Sequence, residues 1–162
     1  GGKDVDGPPE MFIGAAVNPF ADPFKIQVPR LAKKVAAGAQ FIQTQCVFNL
    51  EKFEEFMKGV RDRGLHEKTY ILAGITPLKS ATMAEYIATK VAGMNVPEAL
   101  INRLKGVEKK KQKQEGIKIA VETIQQLKKV KGVKGVHIMA IEWEDAVPEI
   151  VQQAGLQFKS GR

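Results

Sequence analysis

Residues 12–48 contain a strand pattern, a helix pattern and a second strand pattern in direct succession, which commits this part of the chain to parallel pairing. The apolar run Met11-Phe-Ile-Gly-Ala-Ala-Val17 breaks at Asn18-Pro19, a helical segment follows, Gly38-Ala39 closes it, and Phe41-Ile-Gln-Thr-Gln45 opens the next strand. Strands joined through a helix run parallel, because an antiparallel pair needs only a tight turn. Proteins built this way place their ligand sites at the C-terminal strand ends. Asn18 and Gln45 lie at or near those ends, so both side chains can point into one pocket.

The same alternation continues to the end of the chain. Strand-like runs fall at about 11–17, 40–45, 69–74 and 135–141, each followed by a helical pattern. Val28, Leu31 and Val35 recur at helical spacing before Gly38. Asn49 caps a second helix with Phe53, Phe56, Met57 and Val60 as its buried stripe, and Gly64 ends it. Ser80 can cap a third helix carrying Met83 and Ile87, and Pro97 suits the first turn of an inserted helix with Leu100, Ile101 and Leu104. The longest pattern, roughly 108–130, puts Ile117, Val121, Ile124 and Leu127 on one face, and Val147, Ile150, Val151 and Ala154 mark a closing helix.

Strands alternating with helices predict an α/β fold with a parallel sheet. A (β/α)8 barrel takes about 250 residues, whereas these 162 residues hold four βα units. Four units leave the first and last strands with unpaired edges, which predicts oligomerisation or pairing with a missing half. Residues 1–10, rich in Gly, Pro and Asp, read as a flexible lead-in, 11–157 as the folded domain and 158–162 as a polar tail.

Several function classes are disfavoured. No apolar run approaches the ~20 residues of a membrane span, and no basic-then-apolar leader opens the chain, so a cytoplasmic protein without a membrane partner is expected. Cys46 is the single cysteine; with His66 and His137 it makes neither a disulfide nor a plausible metal site. The 25 basic and 18 acidic residues give a net charge of +7, concentrated around Glu108-Lys-Lys-Lys-Gln-Lys113. No aromatic residues interleave there for base stacking, so a solvated helix face is expected and nucleic acid is not a predicted partner. Walker, zinc, Gly-x-Ser-x-Gly and dinucleotide signatures are absent.

Among the polar residues, Gln45 offers two donors and an acceptor at a strand end, for a ligand or for the local backbone. Lys33 and Lys34 point about 100° apart on the first helix, so one ligand cannot use both equally; each is a surface lysine or a point charge for phosphate. Arg30 stands one turn earlier. Asn18 can bond a ligand or simply form an Asn-Pro turn. Glu142 and Glu144 read as exposed loop acids. His137 and Cys46 read as packed residues, and Met83 and Ile87 as core.

The strings Gly14-Ala-Ala-Val-Asn-Pro-Phe-Ala-Asp-Pro23, Arg30-Leu-Ala-Lys-Lys-Val-Ala-Ala-Gly-Ala39 and Phe41-Ile-Gln-Thr-Gln45 resemble the methylenetetrahydrofolate reductase family. Gly135-Val-His-Ile-Met-Ala-Ile-Glu-Trp143 is similar to the last barrel strand of its bacterial members. The resemblance implies that the four units are the C-terminal half of a (β/α)8 TIM barrel. It further implies a flavin-dependent reductase that uses FAD to convert 5,10-methylenetetrahydrofolate to 5-methyltetrahydrofolate. By the same resemblance Gln45 contacts the folate substrate, and Asn18, Arg30, Lys33 and Lys34 contact FAD. Lys34 matches the family's basic pair by type, whereas Lys33 stands for a frequent arginine. A flavin-contacting tyrosine and histidine of relatives have no counterpart in the loop after Val17. The acid that relatives use for protonation belongs to the first half of the barrel, so this chain alone is expected not to turn over. The predicted partner is that N-terminal half or another subunit; the competing reading is a non-catalytic half-barrel that serves only assembly.

Overall fold

The four apolar runs become the strands Gly14–Val17 (β1), Phe41–Cys46 (β2), Tyr70–Ile75 (β3) and Val133–Ile138 (β4). The computed structural model describes Gly7 and residues 10–156; apart from Gly7 and Glu10, the lead-in expected over 1–10 lies outside these, as does the tail expected over 158–162. All neighbouring strands pair parallel, in the order β1-β2-β3-β4. Helices Gln27–Ala36 (α1) and Leu50–Asp62 (α2) make the first two crossovers. Ala81–Lys90 (α3) and Glu98–Lys105 (α4) form an excursion before Gln112–Leu127 (α5) leads back to β4, and Val147–Gln153 (α6) closes the fold. Sequential parallel strands with helical crossovers are the arrangement of consecutive units in a (β/α) barrel.

Local signals explain the helix boundaries. Asn49 accepts from the Lys52 amide at 3.0 Å, and Ser80 from the Met83 amide at 3.1 Å, so each satisfies an otherwise orphaned donor of the first turn. Gly64 stops α2 in the left-handed region at φ 62°. The long helix is shorter than its pattern: residues 109–111 form a separate 3-10 turn, and the regular helix starts at Gln112. The strand ends also differ. β1 starts at Gly14 rather than Met11, and β4 runs from Val133 to Ile138 rather than 135–141.

The two faces of the sheet are unlike. Val17, Ile42, Ile71 and Ala73 are buried against Leu31, Phe53, Phe56, Met57, Ile124 and Ile150 in the main core. The alternate residues Gly14, Ala16, Phe41, Gln43, Tyr70 and Leu72 point the other way, since successive strand side chains alternate. Phe41, Tyr70 and Leu72 stand outside both apolar cores, and Tyr70 is 56% exposed. A smaller core holds Leu78, Ala84, Ile87, Leu104 and Ile119, seating α3 and α4 on one side of α5. Arg103 ties this excursion down, donating to Glu115 at 2.6 Å and to both carboxylate oxygens of Glu122. Among the described residues no helix is long and apolar enough to cross a membrane.

Candidate functional site

At the C-terminal ends of the strands lies a pocket of about 390 Å³, lined among others by Asn18, Arg30, Lys34, Gln43, Gln45 and His137. Four of the five residues singled out in the sequence therefore meet. Lys33 does not line it and is exposed, as expected for two lysines about 100° apart on one helix. The cavity runs from the helix layer, which contributes Arg30 and Lys34, past β1 to the uncovered sheet face, which contributes Gln43.

Gln45 takes its position from an irregularity in β2. The register between β2 and β3 shifts between Gln43 and Cys46. There the Thr44 hydroxyl replaces the missing ladder bond: it accepts from the Gly74 amide at 3.0 Å and donates to the Gln45 carbonyl at 2.9 Å. Gly74 is required for this close approach, because an added Cβ would sit 2.5 Å from the Thr44 carbonyl oxygen. Gln45 Oε1 accepts from the Cys46 amide at 3.1 Å, so its orientation is set by the backbone and its amide NH2 remains as the donor. The backbone-bonded reading of this residue holds, with the NH2 left over.

Lys34 and Asn18 are partly engaged by the chain itself. Lys34 Nζ donates to the Ala16 carbonyl. The Asn18 side chain accepts from the Phe20 amide at 2.9 Å and donates to the Gly93 carbonyl at 3.1 Å, so it forms an Asx turn and fastens the α3–α4 loop to the end of β1. Gly93 sits at φ +79°, and a Cβ there would be 2.3 Å from Asn18 Nδ2. Gln27, buried, holds the segment between β1 and α1 by donating to the Ala21 and Pro23 carbonyls at 3.0 and 3.2 Å. Asn49 also reaches the excursion, donating to Asn95 at 3.0 Å.

His137 is corrected by the structure. It is half-buried and lines the pocket, rather than packing in the core. It pairs in register with Gly74 and shares the uncovered face with Leu72 and Gln43. Gln43 was also missed; its place two residues before Gln45 on the same strand face was the available signal. Cys46 is fully buried, its thiol 2.8 Å from the Thr76 hydroxyl, and burial pushes its pKa up against the lowering effect of that hydrogen bond. Glu142 and Glu144 are exposed and lie away from the pocket; Glu142 is 3.5 Å from Lys79.

Comparison with known proteins follows the same lines. Methylenetetrahydrofolate reductase 2 of Schizosaccharomyces pombe is 33% identical over 147 residues, covering 85% of this chain and 22% of that protein. A Caenorhabditis elegans protein named "Probable methylenetetrahydrofolate reductase (NADPH)" is 26% identical over 150 residues, covering 89% of this chain and 22% of that protein. The chain thus spans about a fifth of the length of these relatives. A solved structure of an uncharacterised Clostridium thermocellum protein that binds two copies of 5-methyl-5,6,7,8-tetrahydrofolic acid is similar in fold, with a TM-score of 0.62 at 17% identity over 87% of this chain and 51% of its own. The family profile described as methylenetetrahydrofolate reductase matches residues 5–155, nearly end to end, and on that match the chain belongs to the methylenetetrahydrofolate reductase family.

Proposed function

We propose that this chain is the C-terminal half of the barrel of a flavin-dependent methylenetetrahydrofolate reductase, acting in the cytoplasm on 5,10-methylenetetrahydrofolate to give 5-methyltetrahydrofolate. The observation that carries the reading is the convergence of Asn18, Arg30, Lys34 and Gln45 on one pocket at the C-terminal strand ends. The C. thermocellum neighbour binds a folate, which supports a folate as the ligand class.

The donor set fits FAD and a pterin. Arg30 and Lys34 supply cationic donors for a diphosphate on the helix side, and the Gln43 and Gln45 amides supply donors and acceptors for ring edges on the sheet side. FAD, when bound, carries hydride between a reductant and the folate. Gln45 orients the folate through its free amide NH2, with the Thr44–Gly74 irregularity holding it rigid. Lys33 is proposed only as a peripheral charge beside the phosphates. The outer edges of β1 and β4, unpaired among the described residues, and the uncovered face bearing Phe41, Tyr70 and Leu72 call for covering by further strands, so the working form is an assembly with the N-terminal half of the barrel or a partner subunit.

The test is reconstitution. FAD is titrated into the chain alone and into the chain mixed with a polypeptide supplying the first four βα units. Folate-dependent oxidation of NADH and NADPH is then followed. The flavin reading expects a yellow complex and turnover only in the mixture; a stable assembly that stays free of flavin would sink it. That outcome would favour an assembly module, a reading supported by the engagement of Lys34 and Asn18 with the chain's own backbone.

A further inference from the structure

At the opposite end of the sheet, beneath the N-terminal ends of β3 and β4, a second cavity of about 510 Å³ is lined by His66, Glu67, Lys68, Thr69, Lys131 and Lys134, among others. Three lysines and one glutamate line it. Among the described residues none of the three lysines forms an ion pair, and Glu67 is only 3.8 Å from His66 Nε2.

A second observation falls on the same wall. Among the described residues, the buried side-chain polar atoms without a hydrogen-bond partner are His66 Nδ1 and Thr69 Oγ1, and both residues belong to this cavity. Thr69 is 5% exposed. Buried polar atoms are almost always partnered, so two orphans in one place call for an absent partner. Both can donate, through the hydroxyl and through one imidazole tautomer, and the lysines only donate. A partner that also suits the three lysines is rich in acceptor oxygens and negatively charged.

The wall is held in place rather than loosely assembled. Gly132 sits at φ +98° and lets the turn before β4 approach His66 so closely that an added Cβ would lie 2.9 Å from the His66 Cβ. Arg61 donates to the Lys131 carbonyl at 3.1 Å and anchors that turn to α2.

We propose that this cavity is an oxyanion site that takes a phosphoryl group, with Lys131, Lys134 and Lys68 as charged donors and with Thr69 and His66 turning inward to complete the shell. It is distinct from the pocket at the other end of the sheet and does not depend on the reductase reading.

Calorimetric titration of the full chain tests it, with inorganic phosphate and glycerol phosphate as separate arms that distinguish a free anion from a phosphate ester. One saturable site is expected for at least one anion. Its affinity should fall by about tenfold or more in Lys131→Ala/Lys134→Ala and also in Thr69→Val. The charge-matched control Lys58→Ala/Lys109→Ala should leave it within about twofold. Without anion, Thr69→Val should melt above the parent chain, because it removes an unpartnered buried hydroxyl. No saturable binding in either arm, equal loss in the control, or a lower melting temperature for Thr69→Val would each overturn the assignment.

Discussion

The Lys34 ammonium donates to the Ala16 carbonyl on the outer edge of β1, which no described residue pairs. The Ile13 carbonyl accepts from the Gln40 amide, which turns Ile13 toward β2. Alternation then turns Ala15 and Val17 the same way and leaves the polar groups of Gly14 and Ala16 on the outer edge. A lysine on an exposed edge hinders edge-to-edge association. Lys34→Met is expected to raise self-association, seen as a concentration-dependent increase in sedimentation coefficient, with Lys33→Met as the inert comparison. A monomer unchanged by Lys34→Met would show that the contact does not guard the edge.

Thr44→Val leaves the Gly74 amide without its acceptor and takes the donor from the Gln45 carbonyl. An unsatisfied buried group costs about 1–3 kcal/mol. A loss of that size in urea unfolding is expected, together with weaker binding of the folate proposed to meet Gln45, whereas Thr44→Ser should recover most of both.

Replacing glycine by alanine inside a helix usually stabilises by roughly 0.5–1 kcal/mol. Gly116→Ala is expected to do the reverse. An added Cβ would lie 1.9 Å from the Leu78 carbonyl oxygen, a backbone atom that cannot swing aside. The overpacking should cost at least about 1–3 kcal/mol and separate α5 from the loop that follows β3. Thermal melting checks it, and any gain in stability would refute the close approach.

The Cys46 thiol titrates above its ordinary value in the folded chain, chiefly because burial disfavours the thiolate. The unfolded chain therefore loses this proton first. Stability from the neutral thiol is complete below the unfolded pKa and falls as pH rises from there through the folded value. Cys46→Ala should flatten the alkaline decline in stability, measured by urea titration across that range. Ellman's reagent should react slowly with the native chain and quickly once it unfolds.

Much of the local architecture was legible in the residues themselves. Asn49 and Ser80 cap the helices that their positions predicted, and Phe53, Phe56, Met57 and Val60 are all buried. These signals act within a turn or two of helix, so they need no knowledge of distant partners. The side-by-side placement of Asn18 and Gln45 was also readable, because a crossover unit sends both strand ends the same way. Pattern alone gave only part of α5. Of its predicted stripe, Ile117, Ile124 and Leu127 are buried and Val121 is half-buried, but Ile119 and Ala120 are buried too, since the excursion of α3 and α4 covers a second side.

By itself, then, the order of residues determined the parallel βα plan, the helix caps and the end of the sheet at which polar groups gather, because periodicity and capping are short-range. Only the tertiary structure decided that His137 and Gln43 join the pocket, that Thr44 and Gly74 break the register beside Gln45, and that Lys34 reaches an open strand edge. Those outcomes depend on register and approach between segments tens of residues apart, which no local pattern specifies.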